Sequence, residues 1–343
     1  MIMITSDLHI TDKPLDEYRW GIFQWLKQQL DHSVDEVDTV FILGDLTDAK
    51  DKHNSELVNR LVGELKSLSE AAQVYILKGN HDYIEETLPF FNFLSQVGSN
   101  IKFIAQPEKL NVEGFGVLCL PSSRNYQTDW QDFDFSKFDL IFTHQTYEGS
   151  VAENGSLLPG IPPAYFKGFE GKVISGDIHV PQKVSNNIQY VGAPYRIRFG
   201  DSFDPRVLMI AEGKIKSRKV PFMRRQVFNI KGVVDDDFLN EWNQALFKDL
   251  INEGDQVKVR VTLKRSDFDK WPTLKKTLRQ HAQEQGWVLC GLELIMDKAD
   301  TSSSEQSKIS SAKTSKNRIE VYAKLKKLDV KLGLEFLQAG QNV

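Results

Sequence analysis

Apolar residues along this chain fall in short unbroken runs that alternate with stretches of helical spacing. The runs are Ile2–Thr5, Thr39–Leu43 and Val74–Leu77, and residues 101–104, 117–120, 139–143 and 172–175 read as further strands. Unbroken apolar runs of this length read as strands buried on both faces. Between them, Leu15, Trp20, Ile22, Phe23, Leu26 and Leu30 recur at helical spacing over 15–31. Residues 54–70 and the Phe-rich 85–97 also read as helices. Strands that alternate with helices predict a layered α/β domain over residues 1–221.

The pattern changes after residue 222. Strands over 226–230, 256–263 and 287–295 and helices over 235–250 and 272–285 predict a smaller α/β capping domain, 222–299. Residues 300–317 are rich in Ser, Thr and Lys and read as a flexible linker. Residues 318–343 resume helical periodicity at Ile319, Tyr322, Leu325, Leu328, Leu332 and Phe336. A tethered amphipathic element without a core of its own must dock on this chain or on a partner.

Composition adds two constraints. The net charge of −4 hides a split: −10 over residues 1–200 and +6 over 201–343. An acidic front half suits cations, and a basic back half suits a polyanion. The two cysteines, Cys119 and Cys290, lie in apolar stretches and read as buried free thiols. With no basic-flanked leader and no apolar run of the ~18–20 residues a membrane span needs, the expected location is the cytoplasm.

Chemistry sits at the strand ends. Asp7-Leu8-His9, Gly44-Asp45-Leu46-Thr47-Asp48, Gly79-Asn80-His81-Asp82, His144-Gln145 and Gly176-Asp177-Ile178-His179 each follow an apolar run. Loops beyond the carboxyl ends of strands are where open α/β sheets build their sites, so these motifs can converge. On an extended segment Asp7 and His9 project the same way. Asp45 has two oxygens and can bridge two cations, Asn80 offers an amide oxygen, and His144 an imidazole. His179 would complete one site and Asp177 the other. Mixed imidazole and carboxylate ligation suits Mn, Fe or Zn. Two such ions, typically ~3.5–4 Å apart, suit in-line displacement at phosphorus. His81 is placed to protonate a leaving oxygen, and Asp48 to orient His81 by a hydrogen bond. His53 reads as a surface histidine on the same loop.

In this order the motifs resemble the calcineurin-like metallophosphoesterase superfamily. Phe142-Thr143-His144-Gln145, the segment 176–201 with its Gly-Ala-Pro turn, and the capping unit followed by a linker and an amphipathic element are similar to SbcD-type recombination and repair nuclease subunits. The resemblance implies a layered β-sandwich flanked by helices. It implies one metal on Asp7, His9, Asp45 and His179, and another on Asp45, Asn80, His144 and Asp177, with His81 catalytic. It further implies Mn²⁺-dependent exonuclease and endonuclease activity on DNA, an SbcC-type ATPase partner bound through the C-terminal element, and homodimerisation. One residue departs: Asp177 stands where the family usually has His.

DNA contact is expected to be electrostatic and indifferent to sequence. Candidate phosphate contacts are Arg124, Arg196 and Arg198, with Arg218, Lys219, Arg224 and Arg225 extending the path. Phe90, Phe91 and Phe93 exceed one buried stripe and suggest core or a dimer surface. Two other functions compete: a small-molecule phosphodiesterase or protein phosphatase using the same metals, and a catalytically weak DNA-binding scaffold. No GxxxxGK[ST] motif is present, so any ATP dependence comes from a partner.

Overall fold

The computed structural model describes residues 1–32, 37–231 and 252–297. The predicted helix 235–250, the linker 300–317 and the element 318–343 lie outside the described residues. The chain divides into two compact units, the first Met1–Gln226 and the second beginning at Val227.

The first unit is a sandwich of two six-stranded sheets. One sheet contains β1 (Ile2–Thr5), β2 (Thr39–Ile42), β3 (Gln73–Leu77) and β4 (Ile101–Ile104), all parallel. The other contains β5 (Glu108–Val112), β6 (Phe115–Leu120), β7 (Leu140–His144), β8 (Lys172–Gly176), β9 (Gln182–Lys183) and β10 (Ile188–Tyr190). Its central strands β6, β7, β8 and β10 are parallel. The chain then returns to the first sheet with the antiparallel hairpin β11 (Arg206–Ala211) and β12 (Lys214–Lys219).

Alternation along the strands assigns the faces. Ile2, Ile4 and Phe41 point between the sheets, against Cys119, Phe142 and Ile174. Met3, Val40, Ile42, Val74 and Ile76 point outward, onto helices α1 (Gly21–His32) and α2 (Ser55–Ser69). Helix α2 buries Leu57, Leu61, Leu65 and Leu68, one stripe at helical spacing. Asn54 caps it, its side chain accepting from Leu57 N at 2.7 Å. The far face of the second sheet is covered differently. Trp130, Tyr147, Phe166 and Phe169, from loops and short turns, pack on Leu118, Ile141 and Val173. The helix-flanked layered sandwich is as expected; the long helices cover the first sheet, and the short helix Tyr126–Asp129 and the 3-10 turn Pro163–Phe166 lie on the second.

Two local expectations need correcting. Residues 85–97 do not form an α-helix; a 3-10 turn covers Phe90–Gln96 alone. Pro89 precedes it in extended conformation and keeps a helix from running through from 85. Phe91 is fully buried there, with Phe90 and Phe93 partly buried on the same core. Cys119 is buried as expected, whereas Cys290 is half-exposed.

The second unit's described part is a three-stranded sheet of β13 (Arg225–Lys231), β14 (Gln256–Leu263) and β15 (Val288–Met296). Val257, Val259, Val261 and Leu263 of β14 pack with Leu274 and Leu278 of α3 (Trp271–Glu284). Among the described residues, no helix is long and apolar enough to cross a membrane.

Candidate metal centre

The motif loops leave β1, β2, β3, β7 and β8 at their carboxyl ends. The loops after β1 and β2 run on together beyond their strands. Asp7 N donates to Gly44 O at 3.1 Å, His9 N to Asp45 O at 2.9 Å and Ile10 N to Leu46 O at 3.1 Å. Asp7, His9, Asp45 and Asp177 all have positive φ, of 55°, 41°, 54° and 86°. Non-glycine residues avoid that region because Cβ crowds the backbone. Asp7 and His9 are therefore kinked rather than extended, yet their side chains still meet.

Strained backbone needs support, and the structure supplies it. The buried Asp82 carboxylate accepts from Asp45 N and Leu46 N at 3.0 Å and from Gly79 N at 2.6 Å, tying two motif loops together. Arg19 donates to His9 O at 2.5 Å and pairs with Asp16 at 3.3 Å. Tyr195 OH donates to Leu8 O. Gly176 permits closest approach: a Cβ there would lie 2.1 Å from Ser6 Oγ and 2.3 Å from Leu43 O.

Three groups of ligand atoms, each within 4.8 Å of one another, overlap into one centre: Asp7–His9–His179, His9–Asp45–His81 and Asp7–Asp45–His144. Asp45 stands between its two ends. Its Oδ2 lies 3.4 Å from His9 Nε2, and its Oδ1 lies 3.3 Å from His144 Nε2. His144 Nδ1 donates to Leu43 O at 2.7 Å, which turns Nε2 inward.

The donor set fits divalent cations. Asp7 Oδ2 and Asn80 Oδ1 are buried without hydrogen-bond partners, an arrangement that leaves their desolvation uncompensated. His144 Nε2 faces only carboxylates, and the Nε2 atoms of His9 and His179 approach to 3.1 Å. Oxygens and imidazole nitrogens converging with lone pairs inward are what a cation satisfies.

Charge in the centre is strongly coupled. Burial alone would pull the His144 imidazole down, but Asp45, Asp7 and Asp177 outweigh it and hold it well above the usual histidine range. Burial is likewise outweighed at His179, raised by Glu153, Asp7 and Asp45. Asp45 is lowered despite burial, by His144, His9 and His81. Burial and the Asp45 charge push Asp82 up to about 6.

Asp177 lies beside the centre but outside those three groups. Its Oδ1 accepts from Asn80 Nδ2 at 2.8 Å, and its Oδ2 from the Thr146 hydroxyl. The Asp48 carboxylate does not reach His81 as expected. It lies 3.6 Å from His9 Nδ1 and 3.3 Å from Lys13 Nζ. The main-chain carbonyl of Asp48 takes the expected role, accepting from His81 Nδ1 at 2.9 Å. His53 is partly buried rather than superficial, hydrogen-bonded to Thr47 Oγ1 at 2.8 Å and packed on Phe90 and Phe91.

A cleft of about 350 Å³ opens over His9, Asp45, His81 and His179. Of the three candidate arginines, Arg198 lines it. Arg124 instead donates to Ile84 O and lies over the Tyr83 ring, and Arg196 donates to Phe203 O at 3.4 Å. Arg225 is no surface cation: it is buried against Asp16, Ile197 O and the Phe199 ring. Glu153, also lining the cleft, was missed. It sits in a polar Gly-containing loop between the His144-Gln145 and Gly176–His179 motifs, and nothing in the sequence marks it.

A family model described as calcineurin-like phosphoesterase matches residues 1–181. The chain is similar to exonuclease subunit 1 of Enterobacteria phage T4, 23% identical over 253 residues, 70% of this chain and 74% of that protein. It is also similar to a protein of Invertebrate iridescent virus 6 named as a phosphoesterase, 244L. That match is 24% identical over 224 residues, 61% of this chain and 76% of the other. The solved structure of an archaeal phosphodiesterase aligns over 64% of this chain and 98% of its own, with 12% identity and a TM-score of 0.35.

Proposed function

The chain belongs to the calcineurin-like phosphoesterase family, and from that membership we propose a two-metal DNA nuclease subunit of a recombination or repair complex. The observation that carries this reading is the convergence of Asp7, His9, Asp45, His144 and His179 on one centre, with Asp7 Oδ2 and Asn80 Oδ1 left without partners, at a cleft lined by His9, Asp45, Asn80 and His179. Similarity to a phage exonuclease subunit supports a nuclease over other phosphodiesterases. The basic surplus of residues 201–343 supports a polyanionic substrate.

Asp7, His9, Asp45 and His179 would hold one cation; Asp45, Asn80 and His144, with Asp177, the other. Manganese suits this mixture of imidazole and carboxylate. Such cations, when bound, supply Lewis acidity toward phosphoryl oxygens and water. The chain supplies the rest. His81 donates through Nδ1 to Asp48 O, so its Nε2 is left for the cleft. In its cationic form it hands a proton to the leaving oxygen. Arg198, at the cleft rim, meets a backbone phosphate without reading sequence. In this reading 222–299 contacts DNA, 300–317 is the tether, 318–343 docks on an SbcC-type ATPase, and two copies pair.

The test is hydrolysis of end-labelled linear double-stranded DNA with Mn²⁺, beside His81→Ala. The expected result is metal-dependent nucleotide release that falls about 10²–10⁴-fold in the variant. Vigorous cleavage of a generic phosphodiester with none of DNA would overturn the nuclease assignment, and DNA binding without either activity would point to a scaffold.

A further inference from the structure

We infer that Glu153 is a positioning residue for the metal centre, its carboxylate fixing His179 so that Nε2 faces the cation. The inference rests on the metal-centre reading above.

Glu153 has no place in the motifs. It lies between β7 and β8, in a small hairpin whose arms meet at the Val151–Leu157 bridge. That hairpin is clamped to the strand after the last motif. Gln182 Oε1 accepts from Val151 N, and Gln182 Nε2 donates to Val151 O, both at 2.8 Å. Ala152 N donates to Ser156 O and Leu158 N to Ser150 O, both at 2.9 Å, closing the turn. The base of the loop is pressed onto the His144 loop: a Cβ at Gly160 would lie 2.2 Å from Thr146 O. The result is a carboxylate on a braced support rather than on a free loop.

From that support Glu153 Oε1 reaches to 2.6 Å from His179 Nδ1, with the Glu153 side chain only 20% exposed. The contact is an ion-pair distance without hydrogen-bond alignment, and because an ionised carboxylate only accepts, it favours the proton on Nδ1 of the imidazole. That tautomer leaves the Nε2 lone pair for a cation. His179 Nε2 is the atom that lies 3.1 Å from His9 Nε2. A carboxylate behind a histidine ligand fixes ring orientation and raises ligand basicity. His144 obtains the same service from a main-chain carbonyl, Leu43 O. His179 alone of these two uses a charged side chain, and so depends on one residue that substitution can remove.

The measurement is calorimetric titration of the full chain with Mn²⁺ in the absence of substrate. Wild type is compared with Glu153→Leu, which keeps bulk but removes the acceptor, with Glu153→Gln, which restores an acceptor oxygen, and with Asp7→Ala. The expected outcome is about a 10–100-fold weaker Mn²⁺ affinity in Glu153→Leu, with most of it recovered in Glu153→Gln. Glu153→Leu binding within about twofold of wild type would overturn the inference while leaving the metal centre intact. Wild type that takes up no Mn²⁺ would instead refute the metal-centre reading itself. Should Glu153→Leu fail to fold by circular dichroism, the His179 ring nitrogens of the metal-free wild type decide at alkaline pH. Protonation at Nδ1 is expected, and protonation at Nε2 overturns the inference.

Discussion

The two halves of the centre are built from similar residue types but are prepared differently. On one side, Asp7 Oδ2 has no hydrogen-bond partner, and the Nε2 atoms of His9 and His179 meet at 3.1 Å. On the other, Asp177 has both carboxylate oxygens engaged, by the Asn80 amide and the Thr146 hydroxyl. The difference teaches that a carboxylate in the last motif serves as a hydrogen-bond acceptor where an imidazole would present one lone pair. By taking the Asn80 amide nitrogen it turns Asn80 Oδ1, which has no partner, toward the centre. Asp177 thus supports the second half through Asn80 at least as much as through its own oxygens.

The largest test of that contrast removes what the halves share. Asp45→Asn takes away the carboxylate between His9 and His144, and it is expected to bring Mn²⁺ uptake and phosphodiester hydrolysis below detection. Retention of one tightly bound Mn²⁺ by calorimetry would mean that the halves are independent. Asp177→His sharpens the contrast instead. It frees Asn80, introduces a neutral imidazole, and is expected to change the weaker Mn²⁺ affinity about tenfold while leaving the tighter one alone. Equal shifts in both would erase the distinction.

The smallest effect is a pH dependence. His144 and His179 have raised pKa values in the folded protein. Their contribution stabilises the metal-free protein fully below the unfolded histidine value of about 6.5 and is lost as pH rises through the raised values. Cation binding needs neutral imidazoles, so stabilisation by Mn²⁺ runs the other way and grows with pH over the same window. Thermal melts with and without Mn²⁺ from about pH 5 to pH 9 should therefore diverge as pH rises. Parallel curves would show that these imidazoles do not face the cations.

Sequence periodicity located most of the buried parallel strands because strands covered on both faces read as apolar runs. Each ligand motif follows one of them, and so the centre was legible. The edge strands β5, β9 and β12 and the inner strands β10 and β11 were not: β5 and β12 carry exposed polar residues, β9 has two residues and β10 three. Their turns are also disguised. Glu113-Gly114 and Glu212-Gly213 each have two consecutive positive φ values, the I′ geometry that Asn-Gly or Asp-Gly normally signals. Glutamate carries no such signal. Within the centre, residue types were readable but atom assignments were not. Sequence cannot say that Asp48 uses its main-chain carbonyl, that Asp177 is held by Thr146, or that Glu153 arrives from a loop without a motif. Those depend on backbone kinks at Asp7, His9, Asp45 and Asp177 that no spacing rule contains.

The same two hairpins open a practical route into the molecule. Both turn at the end of the sandwich opposite the ligand loops, one strand length away, on the order of 20 Å. A Cβ at Gly114 or Gly213 would meet nothing within 4 Å. Of the native thiols, Cys119 is sealed in the core and only Cys290 is within reach of a maleimide. Replacing Cys290 with Ser and Glu212 with Cys would therefore give a single attachment point for a fluorophore or a solid support. Its orientation would leave the catalytic mouth facing the bulk solution.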